Sequence, residues 1–277
     1  LVEPDILRKV LEYIWSLAEQ KPKNHNYNLA RLLRQIAERS IKPLVQSIEL
    51  IKVAEKRFWE NSKGMSSKSR RRLMPLTDGD TLRGLLDLST TILGRVNILS
   101  PKISDAIPIQ SALAIEILLS APIRGGLLAN LDGAENFKEK QNSKILILPS
   151  SEEDDHRPTQ FKLSAKARRI FEIYLTIYQP MLSKGQTSKL FISRSGRNKN
   201  ADEMSKQITD FISRKLGIHM SAETFRHLAA YIYLRQHPGE YETVRQFLGH
   251  ASVLTTIELY GVFVETHAAE HFDQILS

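Results

Sequence analysis

A chain of 277 residues, 42% hydrophobic and 25% charged, has enough apolar material for a real core and is longer than one core usually serves, so two domains are expected. It contains no cysteine, which excludes disulfides, thiolate nucleophiles and sulfur-ligated zinc and suits a reducing cytosol. No run approaches the roughly 20 apolar residues of a membrane span, and Leu1-Val2-Glu3-Pro4-Asp5 reads as an acidic helix start rather than a signal peptide. The net charge is +8, and all of the excess lies early: residues 1–76 hold 16 Lys/Arg against 8 Asp/Glu, the remainder 23 against 23. A basic segment beside a neutral body suits a polyanionic partner.

In chain order, Asp5 to Glu19 places Ile6, Val10, Tyr13, Ile14 and Leu17 at helical spacing, and Asn28 to Arg39 and Pro43 to Trp59 behave alike. Residues 1–60 are therefore expected to form a small helical domain. As the chain opens on Leu1 rather than methionine, that domain can be a truncated one. Residues 61–76, with Lys63, Lys68, Arg70, Arg71 and Arg72, are polar, basic and without periodicity, and read as an interdomain linker. A second domain, 77–277, opens with Thr77 or Asp78 available to cap a helix. Ala112 to Leu119 is an apolar helix, and Lys144 to Pro149 and Gln160 to Leu163 are two strands joined by an acidic loop. Later helices are expected over 165–177, 201–216, 222–235 and 240–248. The fold class is thus mainly α with a small antiparallel sheet.

The last fifth of the chain carries three ordered motifs: Glu223-Thr224-Phe225-Arg226-His227, then Leu248-Gly249-His250, then Thr255-Thr256-Ile257-Glu258-Leu259-Tyr260, with ten residues from His250 to Tyr260. Upstream stands Pro122-Ile123-Arg124-Gly125-Gly126-Leu127-Leu128. This set resembles the signature of the tyrosine recombinases, the phage-integrase family, over roughly residues 76–270. The resemblance implies a helical, DNA-clamping core-binding domain followed by a catalytic domain. It implies site-specific cutting and rejoining of DNA through a 3′-phosphotyrosyl intermediate, with Tyr260 as nucleophile and Arg124, Arg226 and His250 around the phosphate. Guanidinium groups suit that role because they offer paired donors and keep their charge near neutrality. A phenol, mostly protonated at neutral pH, needs such a field or a base to react. His227 and His219 read as residues that pack or that support the catalytic groups from behind, rather than as catalysts.

Two positions depart from the family pattern. The histidine expected three residues before the second arginine is Glu223, which could accept the tyrosine's proton but also sets a negative charge beside a phosphate unless burial neutralises it. Aligning residues 157–163 on the family's hairpin strand puts Asp154 where a lysine protonates the leaving oxygen; Lys144, Lys138 or Lys140 could substitute from the preceding strand. A paralogue that binds DNA without cutting is therefore the alternative to a recombinase, and a topoisomerase or hairpin resolvase sharing the chemistry is a remoter one. No cofactor or metal is needed. The resemblance further implies double-stranded DNA as partner, a homo-tetramer on two DNA sites, service to a mobile element and a cytoplasmic, nucleoid-associated location. The basic linker residues would contact phosphates, and an apolar C-terminal segment from Val262 to Leu276 would dock on a neighbouring protomer or on its own domain.

Overall fold

The computed structural model describes residues 3–17, 24–39, 45–62, 64–141, 143–148, 159–183, 187–261 and 263. They fall into two compact units that divide between Ser67 and Lys68.

The first unit holds three helices, α1 (Pro4–Leu17), α2 (Asn24–Glu38) and α3 (Val45–Ser62). Each is amphipathic, and the apolar faces meet around Leu7, Leu11, Ala30, Ile51 and Phe58. Trp15 stacks on Phe58 with ring centroids 5.7 Å apart, and the Arg57 guanidinium covers the indole at 3.7 Å. Arg34 joins α2 to α3 through Glu55, 2.6 Å from its Nε.

The second unit begins with the basic stretch, within which α4 (Ser67–Leu73) precedes a 3-10 turn, Met74–Thr77. Serine, lysine and arginine between Gly64 and Pro75 offer no helix breaker, so a segment without amphipathic periodicity still winds into helix. Arg70, Arg71 and Arg72 occupy its last turn, where cations suit the helix dipole. Asp78 then caps α5 (Gly79–Gly94), accepting from the Thr81 backbone N–H at 2.9 Å.

Helix α6 (Ala106–Ser120) is apolar around its circumference, and α5, α8, α10 and α11 all touch it. By length and composition Ile103–Ser120 could cross a bilayer; here it is the core helix of this unit, with Ile109, Leu113, Ile115 and Ile117 wholly buried. Its buried Glu116 accepts from Ser89 of α5 and from Ser164, the N-cap of α8, with Lys166 Nζ at 3.5 Å. The short α7 (Gly125–Asn130) follows.

A three-stranded antiparallel sheet comes next, in the order β1 (Phe137–Lys140), β2 (Ser143–Leu148), β3 (Thr159–Lys162). The register pairs Phe137 with Leu146 and Leu146 with Phe161, and buried Phe137 and Leu146 face α8, where Phe171 lies 4.5 Å from Phe137. β1 is not among the elements expected from sequence: in Phe-Lys-Glu-Lys only Phe137 is buried, too little for a periodicity signal. The expected helix over 165–177 is α8 (Ala165–Ile173), a π-helical turn (Tyr174–Tyr178) and α9 (Gln179–Leu182). Pro180, which lacks an N–H and would crowd the carbonyl of Thr176, accounts for the widened turn. Helices α10 (Ala201–Leu216), α11 (Ala222–Gln236) and α12 (Tyr241–Leu248) match the sequence reading closely, and residues 253–261 form a final helix, α13. Asp154 and the acidic loop, Lys63, and residues 264–277 lie outside the described residues.

Because Leu113 has no exposed surface, Leu113→Ala should destabilise the second unit by about 2–5 kcal/mol through reduced burial and a cavity. Leu99→Ala, at a side chain 97% exposed, should stay within about 0.5 kcal/mol; urea denaturation of both variants checks the contrast.

Candidate active site

Three chain reversals and one helix build the site. Ala121, Pro122 and Ile123 are buried after α6, and the Ile123 N–H closes a tight turn onto Ala121 O at 2.7 Å, after which Arg124 emerges exposed at the N-cap of α7. Helix α11 starts at Ser221, whose backbone N–H donates to Thr224 Oγ1 at 3.2 Å. From there it carries Glu223, Arg226 and His227 at three- and four-residue spacing, hence on one face. The third reversal is Leu248-Gly249-His250. Gly249 takes φ +63°, a left-handed turn that costs glycine nothing; its N–H bonds Gln246 O at 3.2 Å and that of His250 bonds Arg245 O at 3.0 Å. Arg245 Nη1 closes the turn from outside, donating to His250 O at 3.0 Å.

Arg226 is buried at the centre. Its Nη1 donates to Pro122 O and its Nη2 to Leu248 O, each at 2.9 Å, so one guanidinium holds the turn before Arg124 and the turn before His250. Its Nε lies 3.4 Å from Glu223 Oε2, close enough to pair charge but not aligned for a hydrogen bond, and this buried N–H has no hydrogen-bond partner. Burial pushes the Arg226 pKa down from its ordinary value, opposed by Glu223 and Tyr260, while Arg124 pushes it down further.

Tyr260, on α13, is 1% exposed. His227 Nδ1 lies 3.0 Å from its hydroxyl, the His250 ring stacks parallel at 6.3 Å, and Phe263 stacks at 5.9 Å. Burial raises the phenol above its usual range; Arg226 works against this and Glu223 adds to it. The phenol therefore rests protonated. His250 Nδ1 meets the buried Thr256 hydroxyl at 2.9 Å, which with that hydroxyl donating leaves Nε2 as the ring's donor. Burial first, then Arg226 and Arg124, hold the His250 pKa down at about 4. The imidazole is thus neutral near pH 7.

Arg124, Arg226, His250, Glu223 and Tyr260 are brought into one neighbourhood. Glu223 keeps 59% of its side chain in solvent and lies beside Arg226 and, at 3.9 Å, His227 Nε2. His227, read from sequence as a packing or supporting residue, is the hydrogen-bond partner of Tyr260; its place one helical turn beyond Glu223 was the available signal. Of the lysines proposed to replace Asp154, Lys144 pairs with Glu139 across β1–β2 at 2.8 Å and Lys138 donates to Ala134 O at 3.1 Å, so both are engaged locally. Lys68, Arg70 and Arg71 are exposed on α4, and Arg72 Nη2 meets His219 Nε2 at 3.2 Å. Two guanidinium groups and a neutral imidazole are donors suited to a tetrahedral oxyanion, and they stand in the neighbourhood of the Tyr260 hydroxyl.

This is the fold of the tyrosine recombinases. No family model matches the chain, and no curated protein sequence matches it. Among solved structures it is similar to the XerH site-specific recombinase bound to palindromic difH substrate in a post-cleavage complex. That likeness has TM-score 0.65 and 15% identity and covers 96% of this chain and 72% of that one. A pre-cleavage complex of XerH with difH substrate matches at TM-score 0.51 and 18% identity over 72% of this chain and 52% of that one. The XerA recombinase matches at TM-score 0.47 and 17% identity, with 98% of each chain covered. At such identities the likeness is one of fold, and it rests on the two XerH complexes.

The depressed His250 value makes folding pH-dependent. The unfolded chain takes up this proton near the ordinary 6.5, the folded chain only near 4. Stability present above about pH 6.5 should therefore fall as pH drops toward about 4, with His227, also lowered, acting in the same direction. Urea midpoints measured across this window should slope downward with acid, and His250→Gln should flatten the slope.

Proposed function

We propose that this chain is a site-specific DNA strand transferase that cuts and rejoins duplex DNA through a 3′-phosphotyrosyl bond at Tyr260. The observation that carries the reading is the buried Arg226, with an Nε–H lacking a hydrogen-bond partner, in the same neighbourhood as Arg124, His250 and the Tyr260 hydroxyl. A buried cation whose Nε–H is not hydrogen-bonded, with Glu223 near it but misaligned, favours an anion able to accept from it. A scissile phosphodiester there would receive hydrogen bonds from Arg226 and Arg124 and from His250 Nε2 as charge gathers on its non-bridging oxygens. The tyrosine oxygen would bond to phosphorus while the 5′ oxygen leaves, so the bond energy is kept in the covalent intermediate and no metal or nucleotide is required. Exposed Lys68, Arg70 and Arg71 on α4 supply the sequence-independent phosphate contacts that hold a duplex. The XerH structures, described as bound to difH substrate, support substrate binding by this fold. Assembly as a homo-tetramer on two sites, and service to a mobile element in the cytoplasm, complete the reading.

A DNA-binding protein that does not cut is the second reading, favoured by Lys144 being tied to Glu139 rather than free to protonate a leaving group. The two part on one experiment. A nicked duplex, chosen by the full chain from a random-sequence pool, should form a covalent adduct that Tyr260→Phe abolishes and that Arg124→Ala slows by about 10²–10³. Absence of a Tyr260-dependent adduct leaves the binding protein standing.

Lys68→Ala, Arg70→Ala and Arg71→Ala should each weaken duplex binding to a similar degree across sequences. Each should reduce the slope of log affinity against log salt by about 0.9 for every phosphate no longer neutralised, as read by titration at several salt concentrations.

A further inference from the structure

We propose that Glu223, His227 and Tyr260 form a proton relay: His227 Nδ1 takes the phenolic proton as Tyr260 attacks phosphorus, and the charge of Glu223, beside Nε2, steadies the imidazolium that forms. The relay rests on Tyr260 being the nucleophile and adds the group that activates it.

Its geometry is set by one helix and one contact. Glu223 and His227 are four apart on α11, which stacks their side chains one turn above the other, with Glu223 Oε1 3.9 Å from His227 Nε2. On the ring's far side Nδ1 lies 3.0 Å from Tyr260 Oη, with the two rings edge to face at 5.8 Å and 66°. The phenol can donate or accept, whereas the carboxylate beside Nε2, at 3.9 Å, acts by its charge and favours the ring hydrogen on that side; the phenol then donates to the lone pair of Nδ1. Carboxylate, imidazole and hydroxyl in that order is the arrangement that activates hydroxyl nucleophiles on unrelated folds.

The charged and titratable groups around the ring fit this sense. Glu223 and Arg226 face His227 from α11, Tyr260 from α13 and His250 from the turn after α12, with Arg124 acting on Arg226 and His250. Burial, aided by Arg226, keeps the resting ring neutral, and Glu223 offsets the charge it gains on accepting a proton. His227 is 6% exposed, so water does not compete for Nδ1. The histidine that the resembled family carries at the position of Glu223 is absent, and the base stands one helical turn further on.

In the step, the Tyr260 oxygen bonds to phosphorus as its proton passes to Nδ1. The P–O5′ bond breaks, its electron pair leaves with the 5′ oxygen, and that oxygen takes a proton from water, leaving hydroxide to the solvent. In rejoining, the 5′ hydroxyl gives its proton to solvent hydroxide as it attacks, and the imidazolium returns its proton to the departing tyrosine oxygen.

The test is the rate of adduct formation by the full chain on the selected nicked duplex carrying a 5′-bridging sulfur at the scissile phosphate. A thiolate leaves without a proton, so the rate reads activation of the tyrosine alone. His227→Asn should slow the reaction by about 10²–10⁴ near pH 7. Glu223→Gln, a change at an exposed side chain that leaves the fold intact, should move the acid limb of the pH–rate profile to lower pH, because Glu223 raises the affinity of His227 for its proton. Glu223→Asp should restore the wild-type limb. A wild-type or faster rate in His227→Asn, which marks the contact as a latch on Tyr260, overturns the relay, and so does an unmoved limb in Glu223→Gln. Nitrogen-15 NMR of the free chain reads the tautomer independently of activity; hydrogen on Nδ1 overturns the relay as well. If the wild type forms no Tyr260-dependent adduct, the nucleophile reading falls and takes the relay with it, whereas an unaffected His227→Asn overturns the relay alone.

Discussion

The site depends on what one buried guanidinium does with its fixed fork of donors. Arg226 spends two N–H groups on the carbonyls of Pro122 and Leu248, backbone groups more than a hundred residues apart in sequence. Each carbonyl stands two residues before a side chain of the site, Arg124 in one case and His250 in the other. A buried carbonyl without a donor costs about 1–3 kcal/mol, so the positions of both turns and the burial of the arginine require one another. Lysine, a point charge without a planar fork, cannot replace it. The residue that carries the charge of the centre is also the one that assembles it.

Burial then governs protonation. Tyr260 and His227 are almost wholly enclosed and His250 is partly so. Desolvation favours the neutral form of each, which raises the phenol and lowers both imidazoles. A protonated tyrosine beside neutral histidines is a resting arrangement in which the hydroxyl lies within hydrogen-bond reach of His227 and the cationic field comes from arginines. The exposed Glu223 acts on Arg226, His227 and Tyr260 together.

Charge is separated along the chain in a way that suits the proposed chemistry. The basic excess lies in the first 76 residues, partly as the exposed Lys68, Arg70 and Arg71 of α4, whereas the remainder is balanced overall. Long-range attraction for a polyanion is thereby carried by solvated side chains. The fixed, desolvated charges of the centre are left to act at short range, where low dielectric makes them strong.

Much of this architecture was legible in the residues. The helical spacing of α10, α11 and α12 gave their bounds to within a residue, since long amphipathic elements carry their own burial pattern. The ordered motifs also singled out Arg226, His250 and Tyr260, which the fold brings into one neighbourhood. What stayed hidden was decided by packing. β1 exists because Phe137 reaches Phe171, not because Phe-Lys-Glu-Lys favours a strand. The break after Ile173 follows from Pro180 in a helix whose Tyr174 and Tyr178 are both buried. Sequence alone fixed which side chains were available and their order along each helix, because periodicity and turn chemistry are local. Only the tertiary structure decided that His227 faces Tyr260 and that Arg226 binds two distant carbonyls, because side-chain partners across elements depend on how those elements pack.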